Sequence, residues 1–226
     1  MSQGSPRRLL AELQVASLLI YPSRPQSDAD REAREVILTG IKQAKPKHLK
    51  RVAERLAALA DDHPVRRLVP AHAVLVPAPR SFPLAKGALW PALQIAEALR
   101  AAGVGVQVLP LLSRSEPVRR STGARAGADR EPPLRHYETI EPTSFTPLTL
   151  PMPRAHFVIV DDVVTTGSTL IACASHLAAL TPEATITAFA VARAERTQTF
   201  GEAQEMFSPT VQTITLARDE LHPWRG

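Results

Sequence analysis

The chain has a single cysteine among its 226 residues, Cys173, so it forms neither an internal disulfide nor a cysteine-based zinc site. It also lacks any run of about 18 apolar residues that could cross a membrane, and its first residues lack the apolar core of a signal peptide. We therefore expect a cytoplasmic protein with no membrane partner. Hydrophobic residues make up 44% of the chain, which is enough to form a core.

Aromatic residues are scarce, at 4%, whereas the net charge is +5 and favours an anionic partner. Much of the excess positive charge lies in the basic run Lys42–Arg55, where six lysines and arginines accompany one glutamate. Such a run is typical of a solvated helix face, and alternatively of a helix that contacts nucleic acid. Because few aromatic side chains are present to stack on bases, a platform for single strands is poorly supplied.

Short apolar runs alternate with amphipathic helices along the chain, a pattern that predicts an α/β fold with a mostly parallel sheet flanked by helices. The predicted strands are 15–21, 73–78, 104–109, 156–160, 184–192 and 211–216. The predicted helices are 27–42, one after Pro46, one from about Trp90, and 168–180. The proline-rich and arginine-rich segment 113–154 has no sustained period, and we interpret it as mostly loop.

The most informative segment is 157–170, with the sequence FVIVDDVVTTGSTL. Asp161 and Asp162 follow an apolar strand, at the end where open α/β sheets bind ligands. Two adjacent carboxylates there accept hydrogen bonds from sugar hydroxyls or help to hold Mg²⁺. A small polar loop follows and enters a helix, where amides and hydroxyls can surround a phosphate. The loop consists of Thr165, Thr166, Gly167, Ser168 and Thr169. The competing interpretation is an ordinary strand-to-helix turn whose threonines cap the helix.

The string FVIVDDVVTTGST resembles the phosphoribosyl-pyrophosphate (PRPP) motif of the type I phosphoribosyltransferases. The resemblance implies a Rossmann-like sheet of about five strands with a small variable hood. It also implies that Asp161 and Asp162 bind the ribose hydroxyls of PRPP, while the loop Thr165–Thr169 binds its 5′-phosphate. By position, Arg80 and Ser81 in VPAPRSF would bind the pyrophosphate. Mg²⁺ would arrive with PRPP, and Asp161 and Asp162 are its candidate protein ligands.

Enzymes of this family close a flexible loop over the site, and the arginine-rich segment occupies the corresponding place. Four arginines of this segment are candidates for contact with the negatively charged pyrophosphate as it leaves: Arg119, Arg120, Arg125 and Arg130. We expect a single phosphoribosyltransferase domain. Within it, residues 1–68 would form the strand-helix hood and residues 69–226 the PRPP-binding core, with 113–154 as the flexible loop region.

The strings LLIYPSRP and VPAPR, with the basic run between them, are similar to the ComF family of phosphoribosyltransferase-like proteins. The resemblances together predict a glycosyltransferase that moves a 5-phosphoribosyl group from PRPP to an unidentified nitrogenous acceptor and releases pyrophosphate. The alternative is a ComF-like protein without catalysis, which binds PRPP or accompanies nucleic acid through Lys42–Arg55. A homodimer is expected from the resemblance alone.

Overall fold

The computed structural model describes residues 9–118, 131–143, 155–196 and 199–216. Its strands are β1 (Glu12–Pro22), β2 (Val74–Pro77), β3 (Gln107–Val108), β4 (Leu112–Arg114), β5 (Ile140–Pro142), β6 (His156–Val164), β7 (Thr185–Glu195) and β8 (Phe207–Thr215). Its α-helices are α1 (Asp28–Glu35), α2 (Pro46–Ala57), α3 (Pro64–Leu68), α4 (Pro91–Ala101), α5 (Pro133–Thr139) and α6 (Ser168–Leu180). A π-helix spans Val36–Ile41 and a 3₁₀ helix spans Ala203–Met206.

Six of the described strands form one sheet in the order β3-β2-β6-β7-β1-β8. Neighbouring strands are parallel except at the edge, where β8 runs antiparallel to β1. Strands β4 and β5 form a separate antiparallel pair. The predicted α/β fold with a mostly parallel sheet is therefore confirmed. The six strands of the sheet fall on the six predicted segments, one more than the five or so that the family resemblance implied.

Both faces of the sheet are buried, which explains why β6 begins as a continuous apolar run. Val158 and Val160 pack into the hydrophobic cluster that includes residues of α1 to α4. Phe157 and Ile159, on the opposite face, pack into the cluster that includes α6. The alternation follows from the two-residue period of a strand.

The predicted helix 27–42 is present but changes its winding part-way. Ser27 caps α1 by accepting a hydrogen bond from the Asp30 amide, and the Asp30 carboxylate accepts one from the Ser27 amide in return. The chain then continues as the π-helix Val36–Ile41. Inserted π-turns of this kind redirect the side chains that follow them, and they often occur at functional sites.

Two local predictions differ from the structure in part. Within the segment 113–154, the described residues contain α5 and β5 as well as the end of β4, while 119–130 and 144–154 lie outside the described residues. Helix α5 has seven residues, too few to show a sustained period, although Pro133 stands at its start as prolines often do. The predicted strand 104–109 is reduced to β3, because Gly103 and Gly105 adopt positive φ angles of 79° and 80° and turn the chain.

The segment 1–68, expected to form the hood, contributes more than helices. Its strand β1 lies inside the main sheet, between β7 and β8. The π-helix and the helices α1 to α3 then follow before the chain enters β2. Among the described helices, none is both long and apolar enough to cross a membrane.

The Asp30 carboxylate also ties α1 to a distant segment, since it accepts the Phe200 amide at 2.8 Å and the Gln26 amide at 2.8 Å. The amides of Gln26 and Phe200 lower the pKa of Asp30. A lowered pKa gives stability that is present above the unfolded-state pKa and is lost as the pH falls through the folded-state value.

We expect Asp30→Asn to lower the unfolding temperature at neutral pH, and the difference in unfolding temperature between wild type and variant to become smaller in acid. Thermal unfolding followed by circular dichroism measures the unfolding temperatures of wild type and variant at neutral and at acid pH.

The control is Asp28→Asn, in the same first turn but 97% exposed and paired with Arg31 alone. It should leave the unfolding temperature almost unchanged at either pH. Equal effects of the two substitutions would contradict the role given to Asp30.

Candidate active site

The acid pair, Asp161 and Asp162, lies inside β6, directly after the last residue of β6 that pairs with its neighbour β2. On one side β7 still pairs there, since Asp161 is opposite Ala190. On the other side β2 has ended, and its last pair joins Pro77 to Val160. The prediction that a strand ends at the acids is therefore wrong in detail, because it is the neighbouring strand that ends. The sheet is open beside the acid pair, at the kind of edge where α/β sheets bind ligands.

A cavity of about 910 Å³ occupies this opening. All the sequence-based candidates for ribose, phosphate and pyrophosphate binding line it: Arg80, Ser81, Asp161, Asp162, Thr165, Thr166, Gly167, Ser168 and Thr169. The loop candidates Arg119, Arg120, Arg125 and Arg130 lie outside the described residues. The fold thus brings two separate parts of the chain to one concave surface.

The two carboxylates influence each other strongly. The Asp162 amide donates a hydrogen bond to Asp161 Oδ1 at 2.8 Å, which fixes one oxygen of that side chain. Burial, and then repulsion by Asp162, raise the pKa of Asp161 to about 7, against the opposing effects of Lys42 and Arg114. Asp161 therefore exchanges a proton near neutral pH.

The small polar loop makes a tight entry into α6. Gly167 precedes the first residue of the helix with φ 81° and ψ 6°, a left-handed conformation that favours glycine. Thr166 Oγ1 and Ser168 Oγ lie 3.0 Å apart on the loop. The cap residue Gly167 has no side chain, so no side chain caps the amides of the first turn of α6. These amide donors lie at the end of α6 that borders the cavity. Such a terminus suits an anion.

The chain that follows β2 is held through its carbonyl groups. The Arg80 carbonyl accepts a hydrogen bond from Arg114 Nε at 2.6 Å, and the Ser81 carbonyl accepts one from the Val118 amide at 2.8 Å. The Arg80 side chain is half-buried where it lines the cavity. A fixed backbone at this position presents a cation and a hydroxyl to the same space as the acid pair.

A comparison with protein-family models matches residues 82–212 to the phosphoribosyl transferase domain. The match covers more than half of the chain. The chain belongs to this family. No curated protein matches the chain closely enough to count as a relative.

Two residues of this phosphoribosyl transferase domain were not assigned a role from the sequence. Arg114 is 5% exposed, and its guanidinium donates to Thr139 Oγ1 at 2.6 Å and faces His136 Nδ1 at 3.4 Å. Burial, and then Arg114, lower the pKa of His136 to about 4, so its imidazole is neutral at pH 7. His136 Nδ1 also lies 3.1 Å from Thr169 Oγ1. Arg114 thus connects the chain after β2 to the loop of the acid motif.

Sequence reasoning had only weak signals for these residues. Arg114 was one of many arginines in a segment interpreted as loop, and His136 was notable only for its position near the end of that segment. Their importance comes from burial and from contacts across the fold, which local patterns do not contain.

The basic run Lys42–Arg55 does not form one exposed face. Lys42 lines the cavity, and its Nζ lies 3.6 Å from Asp162 Oδ2, with side chains that are 22% and 20% exposed. Lys50, in contrast, pairs with Glu54 on the surface of α2, where both side chains are mostly exposed. The run is therefore divided between the cavity and the surface.

The described residues contain no cluster of three or more histidine, cysteine, aspartate or glutamate side chains that could hold a metal ion. Two adjacent carboxylates alone suit Mg²⁺ only when a substrate supplies further oxygen ligands. The donor set of this phosphoribosyl transferase domain therefore fits a metal that arrives with a phosphorylated ligand.

Gly167 has no room for a side chain. A Cβ there would overlap Ile214 Cδ1 in addition to requiring φ 81°. Gly87 is the matched control, because it has φ 75° but nothing within 4 Å of its Cβ position. We expect Gly87→Ala to lower the free energy of unfolding by about 1 kcal/mol and Gly167→Ala by about 3 kcal/mol, measured in urea. Equal losses would show that Ile214 does not confine the loop.

The raised pKa of Asp161 has a predictable effect on stability. Because the unfolded chain releases this proton near pH 3.8 and the folded protein near pH 7, the protein loses stability as the pH rises between these values. Asp161→Asn cannot lose a proton, so we expect its stability relative to the wild type to rise from about pH 4 to about pH 7. Urea unfolding across this range measures the difference. A constant difference between the two proteins would contradict the raised pKa.

Proposed function

We propose that the protein binds PRPP and transfers its 5-phosphoribosyl group to a nitrogenous acceptor, with release of pyrophosphate. Membership of the phosphoribosyl transferase family supports this type of reaction in general. The observation that carries the specific proposal is the shared cavity, which the acid pair, the small polar loop and the chain after β2 all line. PRPP offers three groups with matching chemistry: vicinal hydroxyls, a 5′-phosphate and a pyrophosphate.

The acid pair is the proposed ribose site. Ionised carboxylates accept hydrogen bonds, and the vicinal hydroxyls of a ribose donate two of them side by side. Asp161 and Asp162 are partly exposed and lie beside the open edge of the sheet, so a sugar can reach them. Only the ionised form of Asp161 accepts on both oxygens, which makes ribose binding sensitive to pH near neutrality.

The loop Thr165–Thr169 is the proposed 5′-phosphate site. The first-turn amides of α6 and the hydroxyls of Thr166, Ser168 and Thr169 supply donors, and the helix terminus supplies a favourable field. Gly167 allows the backbone to approach a phosphate closely, since it has no side chain at the turn.

The chain after β2 is the proposed pyrophosphate site, with Arg80 as its cation and Ser81 as an additional donor. Mg²⁺ would arrive with the substrate in this proposal, and the acid pair would supply its protein carboxylates. When bound, the metal would neutralise part of the negative charge of the pyrophosphate. The buried Arg114 guanidinium adds positive charge on the same side of the cavity.

In the transfer step, the bond between the ribose C1 and the pyrophosphate oxygen breaks, and a bond forms between C1 and the acceptor nitrogen. The acceptor supplies the electron pair, pyrophosphate leaves with the pair of the broken bond, and the proton of the acceptor nitrogen passes to the departing pyrophosphate or to water. No side chain is assigned as a general base. The proposed rate acceleration therefore comes from the positioning of PRPP and acceptor and from fixed cations near the pyrophosphate. Arg119, Arg120, Arg125 and Arg130 stay predicted contacts of the departing pyrophosphate.

The alternative of a nucleic-acid-associated protein without catalysis is not favoured. It depended on the basic run Lys42–Arg55, of which Lys42 faces Asp162 in the cavity and Lys50 pairs with Glu54, whereas Lys45, Lys47 and Arg51 are exposed. Membership of the phosphoribosyl transferase family supports the transfer reaction instead.

The proposal is tested by calorimetric titration of Mg-PRPP into the wild type and into the double variant Asp161→Asn, Asp162→Asn. We expect binding to the wild type and a loss of at least about 100-fold in the variant, because two charge-assisted contacts to the ribose are removed. Pyrophosphate release across a panel of bases and amines then identifies acceptors.

The chain offers a matched control in a second adjacent acid pair. Asp61 is 97% exposed and pairs with Arg66 away from the cavity, and Asp62 follows it. The variant Asp61→Asn, Asp62→Asn removes the same charges and should leave Mg-PRPP binding unchanged. Failure of the folded wild type to bind Mg-PRPP would refute the proposed function.

A further inference from the structure

We propose that Lys42 is a positioning residue for Asp162, delivered to the acid pair by the π-helix that precedes it. The inference rests on the proposed function, because it concerns how the acid pair presents its oxygens to a ribose. Lys42 lies outside the family match at residues 82–212 and comes from the segment 1–68. It would thus be a contribution of the N-terminal segment to the site.

The contact itself is partly shielded from water. Lys42 Nζ lies 3.6 Å from Asp162 Oδ2, and both side chains are about one-fifth exposed, at 22% and 20%. An ion pair in such surroundings is screened less than a surface pair. At 3.6 Å the contact is an ion pair without a hydrogen bond, and its attraction favours the orientation in which Asp162 Oδ2 faces the ammonium.

The π-helix determines where Lys42 points. The Lys42 amide donates to the Ile37 carbonyl at 2.9 Å, five residues back, so the wide winding continues to this residue. The Lys45 amide then donates to the Gly40 carbonyl at 2.9 Å, and Ala44 adopts φ 49° as the chain turns into α2. A regular α-helix would rotate residue 42 away by part of a turn.

A close contact with α2 holds the π-helix in place. The His48 ring packs against the Gly40 backbone, and a Cβ at Gly40 would lie 2.6 Å from His48 Cδ2. Any larger residue at position 40 must displace either the ring or the π-helix. Gly40 and His48 therefore support the position of Lys42 without touching the acid pair.

Each carboxylate of the acid pair is anchored through one oxygen. Asp161 is held through Oδ1 by the Asp162 amide, and Asp162 is held through Oδ2 by Lys42. Among the described residues, no hydrogen bond or ion pair engages the remaining oxygen of either carboxylate. This leaves one free oxygen on each side chain, which matches two vicinal hydroxyls. Without Lys42, Asp162 would lose its anchor and rotate more freely.

The test uses two fragments of PRPP that separate its subsites. Ribose 5-phosphate carries the hydroxyls and the 5′-phosphate, whereas inorganic pyrophosphate carries neither. We expect Lys42→Met to weaken ribose 5-phosphate binding about tenfold in calorimetry and to leave pyrophosphate binding unchanged. Lys42→Arg, which restores a cation, should recover most of the lost affinity.

Lys50→Met is the matched control, since it removes an identical side chain from the exposed Lys50–Glu54 pair. It should change neither affinity. Gly40→Ala should imitate Lys42→Met, and the added His48→Ala substitution should recover part of the loss by making room. If Lys42→Met does not fold, Gly40→Ala provides the same comparison between the two fragments.

The outcomes separate the two proposals. Unchanged ribose 5-phosphate binding in folded Lys42→Met would overturn the positioning role while leaving the proposed function intact. An equal loss of pyrophosphate affinity would overturn it too, because Lys42 would then contact the pyrophosphate directly. If the wild type binds neither PRPP nor ribose 5-phosphate, the proposed function fails and this inference fails with it.

Discussion

The structure depends on holding two carboxylates side by side within a buried strand. Burial opposes their charge and mutual repulsion opposes it further, which is why the pKa of Asp161 rises to about 7. The surroundings reduce this penalty in two ways. β2 ends early, which leaves the pair open to the cavity, while Lys42 and Arg114 bring positive charge close to it. The open edge and the nearby cations thus allow the fold to contain two carboxylates that would be too costly to bury in an apolar core.

Much of the fold follows from local patterns in the sequence. The apolar run at the start of β6 and the helix Ser168–Leu180 were predictable because each is a largely apolar segment with a clear boundary. The candidate residues of the acid motif were equally accessible, since Asp161, Asp162 and the loop Thr165–Thr169 are contiguous and lie between a strand and a helix. Neighbours in sequence stay neighbours in space when one turn joins them.

The residues that sequence reasoning missed belong to contacts between distant segments. Arg114 matters because it reaches the Arg80 carbonyl and Thr139, and Lys42 matters because a π-helix turns it toward Asp162. A hydrophobic period of an ordinary helix does not reveal a π-turn, since the apolar residues around it still fall on the buried side. The extent of β6 was misjudged for a related reason, because β7 continues to pair beyond Val160.

The position of β1 has a consequence for the order in which the protein folds. Val15 pairs with Ala188 on one side and with Gln212 on the other, so the first of the described strands is completed by the last two of them. During synthesis, this eleven-residue strand leaves the ribosome long before either partner exists. Contacts so distant in sequence slow folding, and an unpaired apolar strand invites association with other chains. Expression in the cell therefore depends on how well β1 is protected until the end of translation.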